Sequence, residues 1–174
     1  MNIFISSFLI VSSLFGSISI DTPKLRVKDL QLLTGNQWTG TLTYLDYRTN
    51  KKVSIASNLL VSRSNGDKLS WVFEYQYPDE PKANGKEIVT ISKDGGIING
   101  EKVVERVKLA GNTLRIVTEK NGSDNDKKAL FRFTYLIGPK SFSIKKDVRY
   151  EGAEAFIERN QFSWRREAGT LGAK

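Results

Sequence analysis

From Trp38 onward, apolar and polar side chains alternate along the chain with a period of two residues. In the first such run, 38–47, Trp38, Leu42 and Tyr44 fall on one face and threonines fall on the other. This alternation is typical of a strand that buries one face and exposes the other. The sequence therefore predicts a half-buried β-strand that begins at Trp38.

Further runs rich in β-branched and aromatic residues follow this strand, and such residues favour a pleated, partly buried surface. The turns between the runs are too short for crossover helices, so neighbouring strands must pair antiparallel. An all-β meander of eight to ten antiparallel strands is predicted, and closure into a barrel would remove its exposed edges. The runs are 51–63, 68–77, 86–93, 96–110, 112–120, 129–138, 141–150 and 154–167.

Two segments depart from the period of two. Ahead of the first strand, Pro23 suits a first helical turn and leucines recur at irregular helical spacing, which predicts a short N-terminal helix or turn ending at Gly35. The longest irregular stretch, 77–85, contains two prolines. We expect it to form a loop at one mouth of the barrel, where a loop can contact a ligand.

The first twenty residues contain no charged side chain, and Asp21 is the first to appear. Small residues stand at Ser17 and Ser19, as a signal peptidase requires. We therefore predict a signal peptide at 1–19, a barrel domain at 20–174 and a secreted or periplasmic protein. The alternative is an uncleaved anchor, because the segment is about the length that spans a bilayer; the membrane would then be contacted through this segment only.

The composition of the chain excludes several kinds of catalytic and metal site without identifying one. The chain has neither cysteine nor histidine, which excludes disulfides, thiolate metal sites and Cys- or His-dependent nucleophiles. We expect no metal, no cofactor and no enzyme activity. An enzyme would depend on carboxylates such as Glu74, Glu105 and Glu158, and alternation places Glu105 on the same face as Val103 and Val107, where it would point inward.

The net charge of +8 is spread among acids rather than gathered into blocks. Such a distribution favours a solvated outer face over a dedicated anion-binding surface. Nucleic acid is not expected as a partner, because the strand count exceeds that of a five-stranded nucleic-acid-binding barrel and the signal segment predicts export.

The signal segment, the opening Gly35-Asn36-Gln37-Trp38, the meander and the late arginines together resemble the lipocalin family and the wider calycin superfamily. The resemblance implies a barrel in which a tryptophan of the first strand, here Trp38, is covered by a basic side chain of the last strand. The candidates for that role are Arg159, Arg165 and Arg166. A guanidinium on an indole face contributes cation–π attraction and can also reach backbone carbonyls.

Aromatic side chains recur on the alternating faces of several predicted strands. In a closed barrel, inward stripes of this kind either fill the interior or line a pocket for one small apolar molecule. The candidates for barrel lining are Trp71, Phe73, Tyr75, Tyr77, Phe131, Phe133, Tyr135, Phe142, Phe162 and Trp164.

Two functions remain open at this point. One is an exported lipocalin-like binding protein that holds a small hydrophobic or amphipathic ligand in the barrel. The other is an interaction module of the cell envelope, which would bind a protein or an anionic polymer through its basic surface.

Overall fold

The computed structural model of the chain describes residues 22–35 and 37–166. The predicted signal peptide, with its cleavage after Ser19, lies outside the described residues. The described part consists of ten strands, one helical turn (α1, Val27–Gln31) and a 3₁₀ turn (Pro81–Ala83). The strands are β1 Gln37–Asp46, β2 Lys51–Arg63, β3 Ser70–Gln76, β4 Gly85–Thr90, β5 Ile97–Ile98, β6 Glu101–Lys108, β7 Leu114–Asp124, β8 Lys127–Ile137, β9 Ser141–Tyr150 and β10 Ile157–Arg166.

The strands form one antiparallel sheet in the order β4-β3-β2-β1-β10-β9-β8-β7-β6-β5. Pairing of β1 with β10 curls the sheet round until β4 and β5 meet. A single bridge between Ile91 and Ile98 joins them there, supported by a hydrogen bond of 3.0 Å from Asn99 N to Thr90 O. The result is a nearly closed barrel. The prediction of an all-β antiparallel meander is confirmed, at the upper end of the predicted strand count.

The N-terminal segment covers one end of the barrel, which we call the closed end. Leu25, Leu30 and Leu33 are buried against the core, and the Leu33 carbonyl accepts a hydrogen bond of 2.9 Å from Trp38 Nε1. Buried Asp29 fixes α1 in place, because Arg106 donates to its two carboxylate oxygens at 2.8 and 2.6 Å. This bidentate pair ties the helical turn to β6.

A β-bulge in β6 interrupts the alternation on which the sequence analysis relied. The pairing of β6 with β7 shifts by one residue between Val103 and Glu105. A bulge adds one residue to one strand. Every residue beyond it therefore points to the opposite face from the one that uninterrupted alternation would give. The expectation that Glu105 points inward is wrong: its side chain faces outward and pairs with Arg115 at 2.5 Å. Before the bulge, Glu101 is the acid of β6 that points inward, and it is 4% exposed.

Toward the end of the barrel opposite the closed end, the wall has a notch between β4 and β7. The β5–β6 hairpin turns at Asn99 and Gly100, which both have positive φ, as a tight hairpin turn requires. The flanking strands continue past this turn, to Gly85 on β4 and to Asp124 on β7. The two free edges leave a lateral gap above the turn. We call this half of the barrel the open half. The loop 77–84 joins β3 to β4 at the same end.

No helix in the described residues is long and apolar enough to cross a bilayer.

Candidate functional site

The open half of the barrel encloses a cavity of about 180 Å³. Its wall is mainly aromatic and aliphatic, with a few polar side chains. Pockets of this composition, in which few polar groups orient a ligand within an apolar wall, are typical of small-molecule sites. The lining residues are Leu30, Phe73, Tyr75, Glu87, Val89, Ile98, Asn99, Glu101, Phe133, Tyr135, Ile144, Lys146, Asn160 and Phe162.

The ten aromatic residues proposed as barrel lining separate into four groups. Five of them surround the cavity: Phe73, Tyr75, Phe133, Tyr135 and Phe162. Five lie elsewhere: Trp71, Phe142 and Trp164 fill the core toward the closed end, Phe131 belongs to a second cluster with Ala129 and Val148, and Tyr77 is half-buried at the start of the loop after β3.

A stack of rings connects the closed end to the cavity. Trp164 lies between Phe142, at a centroid distance of 5.2 Å, and Phe162, at 4.9 Å. Tyr75 continues the series, with its ring 5.4 Å from that of Phe162. Offset ring pairs at these separations add to the stability from burial alone. The cavity wall therefore rests on a packed aromatic base.

Glu101 is the most buried carboxylate of the cavity wall. Its Oε2 accepts hydrogen bonds from Thr118 Oγ1 at 2.6 Å and from Tyr135 OH at 3.0 Å, whereas its Oε1 has the Lys120 ammonium 3.9 Å away. Burial raises the pKa of Glu101 above its usual value, although the two hydroxyl donors and Lys120 oppose that shift. Alternation from Val103 would have found this residue, because Glu101 precedes the bulge.

The polar side chains of the cavity wall carry charges of both signs. Asn99 Nδ2 donates to one oxygen of Glu87, and Tyr75 OH lies 3.4 Å from the other. Lys146 lines the cavity from β9, and its ammonium lies 4.0 Å from the centre of the Phe131 ring. Burial lowers the pKa of Lys146, while nearby Asp124 acts in the opposite direction. The cavity wall therefore presents both hydrogen-bond acceptors and a donor.

A hydrogen-bonded cluster crosses the open end above the cavity. Asp124 Oδ2 accepts hydrogen bonds from Tyr47 OH and, at 2.8 Å, from Tyr150 OH. The Arg159 guanidinium lies 4.0 Å from the centre of the Tyr47 ring and its Nε lies 3.8 Å from Asp124 Oδ1. Burial opposes ionisation of Asp124, but the two tyrosine hydroxyls and nearby cations outweigh it and lower its pKa. The cluster joins the far ends of β1, β7, β9 and β10.

Sequence reasoning missed this cluster. Its members come from four separate strand ends, so no spacing along the chain links them. Asp124 belongs to the polar stretch 123–126, whose composition indicates only a turn.

The three arginines considered for barrel closure occupy different places. The Arg166 guanidinium lies 4.5 Å from the centre of the Trp38 ring, and its Nη2 donates to the Leu32 carbonyl. Arg159 lies at the opposite end, over Tyr47. Arg165 is exposed. Arg166 therefore occupies the position that the lipocalin resemblance implies for the covering side chain.

The other carboxylates considered as catalytic candidates lie on the outer wall. Glu74 pairs with Lys86 at 2.8 Å and Glu158 pairs with Lys52 at 2.6 Å. The described residues contain no group of three or more side chains that could hold a metal ion. Acids thus accompany several of the outer lysines and arginines, and the hypothesis of an anion-binding outer surface stays a prediction.

No protein-family model matches the chain, and no curated protein sequence matches it significantly either. Among solved structures, the chain is similar to the crystal structure of Rv2717c from M. tuberculosis. The TM-score is 0.54 at 12% sequence identity, over 81% of this chain and 96% of that one. At this identity the likeness extends to the barrel fold alone.

Proposed function

We propose that this chain is an exported, lipocalin-like binding protein that holds one small amphipathic molecule in the open half of its barrel. The observation that carries the proposal is the cavity of about 180 Å³, which lies between an aromatic wall and the buried carboxylate of Glu101. The uncharged segment at 1–19 supports export.

The volume of the cavity limits the size of its occupant. Pockets for drug-sized ligands measure roughly 300–1,000 Å³, whereas an apolar cavity of about 150 Å³ holds one benzene molecule. The cavity of this barrel is close to the smaller value. Its ligand is therefore a single-ring molecule of about that size, or one end of a longer molecule that leaves through the notch.

The mixed wall favours an amphipathic ligand over a purely apolar one. Rings such as Phe133 and Phe162 offer dispersion contacts to an apolar body. Glu101, Asn99 and Lys146 offer hydrogen-bonding atoms to a polar group of the ligand. Of the three, Glu101 is buried, and an unsatisfied buried polar group lowers the stability of the folded chain.

The lipocalin-like assignment is supported by the closed end. Trp38 is fully buried there, receives Arg166 on its ring face and donates to the Leu33 carbonyl. This arrangement fits the implied pairing of a first-strand tryptophan with a last-strand arginine, within a nearly closed meander barrel.

Native mass spectrometry of the protein purified from its own host tests the proposal. We expect a small adduct on the native protein that disappears when the same sample is denatured. Ile144→Phe places a larger side chain in the cavity wall and should remove the adduct. Leu136→Phe, an equivalent change at an exposed position on β8, should keep it.

Either of two results would count against a carrier. A wild-type chain without any adduct under gentle native conditions removes the basis for bound cargo. An adduct that persists unchanged in Ile144→Phe places the bound molecule outside the cavity.

A further inference from the structure

The two oxygens of the Glu101 carboxylate have unequal surroundings. Oε2 accepts two hydrogen bonds, from Thr118 and Tyr135. Within the described residues, Oε1 has only the Lys120 ammonium, at 3.9 Å, beyond ordinary hydrogen-bond length. The whole residue is 4% exposed and lines the cavity. In a carboxylate that is largely removed from water, an oxygen that accepts no hydrogen bond from the protein is available as an acceptor for a donor brought by a ligand.

We propose that the ligand is a single-ring molecule with an N–H or O–H group, and that this group donates a hydrogen bond to Glu101. This inference rests on the proposed function and names the chemical class of its ligand. The ring lies among Tyr75, Phe133 and Phe162, and the donor group reaches Oε1.

The surroundings of Glu101 favour a donor over a carboxylate on the ligand. A ligand carboxylate at this point would face Glu101 and the nearby carboxylate of Glu87, and like charges at short range repel strongly in a low-dielectric site. Lys146 is the one lysine among the residues that line the cavity. A donor group, in contrast, replaces part of the hydration that Glu101 loses on burial.

The aromatic side chains of the cavity wall also favour a flat ligand. Planar rings pack offset-stacked or edge to face against neighbours at centroid distances of about 4.5–7 Å. If the donor is an ammonium, the same ring faces also attract it through cation–π interaction. Lys120 already uses this interaction, since its ammonium lies 5.7 Å from the centre of the Phe133 ring.

Four probes of matched size test the class of ligand: benzylamine, benzyl alcohol, toluene and benzoate. Each is titrated into the full mature chain at pH 7 by isothermal calorimetry. We expect benzylamine or benzyl alcohol to bind at least about tenfold more tightly than toluene or benzoate, as one hydrogen bond to a buried carboxylate supplies. Comparison of the amine with the alcohol shows whether the donor is charged.

Glu101→Gln, with Glu105→Gln as its control on the outer wall, links the preference to one residue. We expect the first variant to bind benzylamine at least about tenfold more weakly and toluene unchanged. The second variant should match the wild type. If Glu101→Gln does not fold, the wild-type chain is labelled with ¹³C, and benzylamine should shift the Glu101 carboxyl signal while toluene does not.

Tightest binding by toluene or benzoate overturns the inference while leaving a ligand cavity in place. So does an unchanged Glu101 signal on saturation with benzylamine. Failure of all four probes to bind also overturns it, and the proposed function is then decided by the native adduct alone.

Discussion

The two halves of the barrel are built from the same strands, but the interior of one is filled and the interior of the other contains a cavity. Toward the closed end the space is filled: Trp38, Trp71, Trp164 and Phe142 are each at most 1% exposed. Toward the open end, buried and half-buried rings together with polar side chains surround a cavity of about 180 Å³. The closed half forms a packed core, and the open half contains unfilled space. The side chains that fill the core and those that border the cavity are therefore separated along the barrel axis.

The change from filled to open can be followed along single strands. On β7 the inward positions run from Leu114 and Ile116 at the closed end to buried Thr118 and then Lys120. On β10, which runs the other way, Asn160 precedes Phe162 and Trp164. The inward face becomes more polar toward the open end on both strands. A partly polar interior at one end is compatible with folding because the opposite end supplies the core.

Truncating one large ring in each half should give the largest difference between them. We expect Trp38→Ala to lower the free energy of unfolding by about 3–5 kcal/mol, because a fully packed site loses a ring and keeps a cavity. Phe133→Ala beside the existing cavity should lower it by about 1–2 kcal/mol, because that ring is only partly buried. Urea unfolding followed by tryptophan fluorescence measures both. Equal losses would show that the open half is as tightly packed as the closed one.

Substitution of two glycines tests the same difference in packing between the two halves, close to the backbone. A Cβ on Gly40, near Trp38, would lie 2.0 Å from the Ser163 carbonyl oxygen, whereas the nearest atom to a Cβ on Gly85 is 4.0 Å away. Gly40→Ala should therefore cost about 1–3 kcal/mol through overpacking of the β1–β10 seam. Gly85→Ala, on β4 beside the notch, should be neutral or stabilising by up to about 1 kcal/mol. Thermal unfolding of the two variants decides the point, and a tolerant Gly40 would contradict close contact at the seam.

The smallest effect concerns the pH dependence of the open half. The pKa of Glu101 in the folded chain is raised above its usual 4.5 by burial, so the folded state binds this proton more tightly than the unfolded state does. The resulting stabilisation is complete below pH 4.5 and is lost as the pH rises through the raised pKa. Thr118, Tyr135, Lys120 and Glu87 face the carboxyl and set the size of the shift.

Glu101→Gln removes this titration. The unfolding free energy of the variant, relative to that of the wild type, should rise between pH 4 and the neutral range, with the increase beginning near pH 4.5. Glu105→Gln on the outer wall is the matched control. A relative stability that falls over the same range would mean that Glu101 is stabilised as the anion in the folded chain.

The alternation of apolar and polar residues was sufficient to predict much of the fold and part of the candidate site. It identified the strands and placed Phe73, Tyr75, Phe133, Tyr135 and Phe162 on inward faces, because the side-chain period of a strand is local. It was wrong for Glu105, since a bulge is one inserted residue and the run VVERV reads equally well in either register. Alternation also places Glu101, two residues before Val103, on the inward face, and this placement holds because the bulge comes after Val103.

The sequence by itself determined an antiparallel β protein with aromatic inward faces and without thiol or imidazole chemistry, because strand pattern and composition are properties of neighbouring residues. Only the tertiary structure decided which aromatic rings fill the barrel and which border a cavity, and that Arg166 rather than Arg159 covers Trp38. Only the fold brought Tyr47, Asp124 and Tyr150 together across the open end. These outcomes depend on strand register and on closure between distant segments, and contacts between distant segments leave no period in the chain.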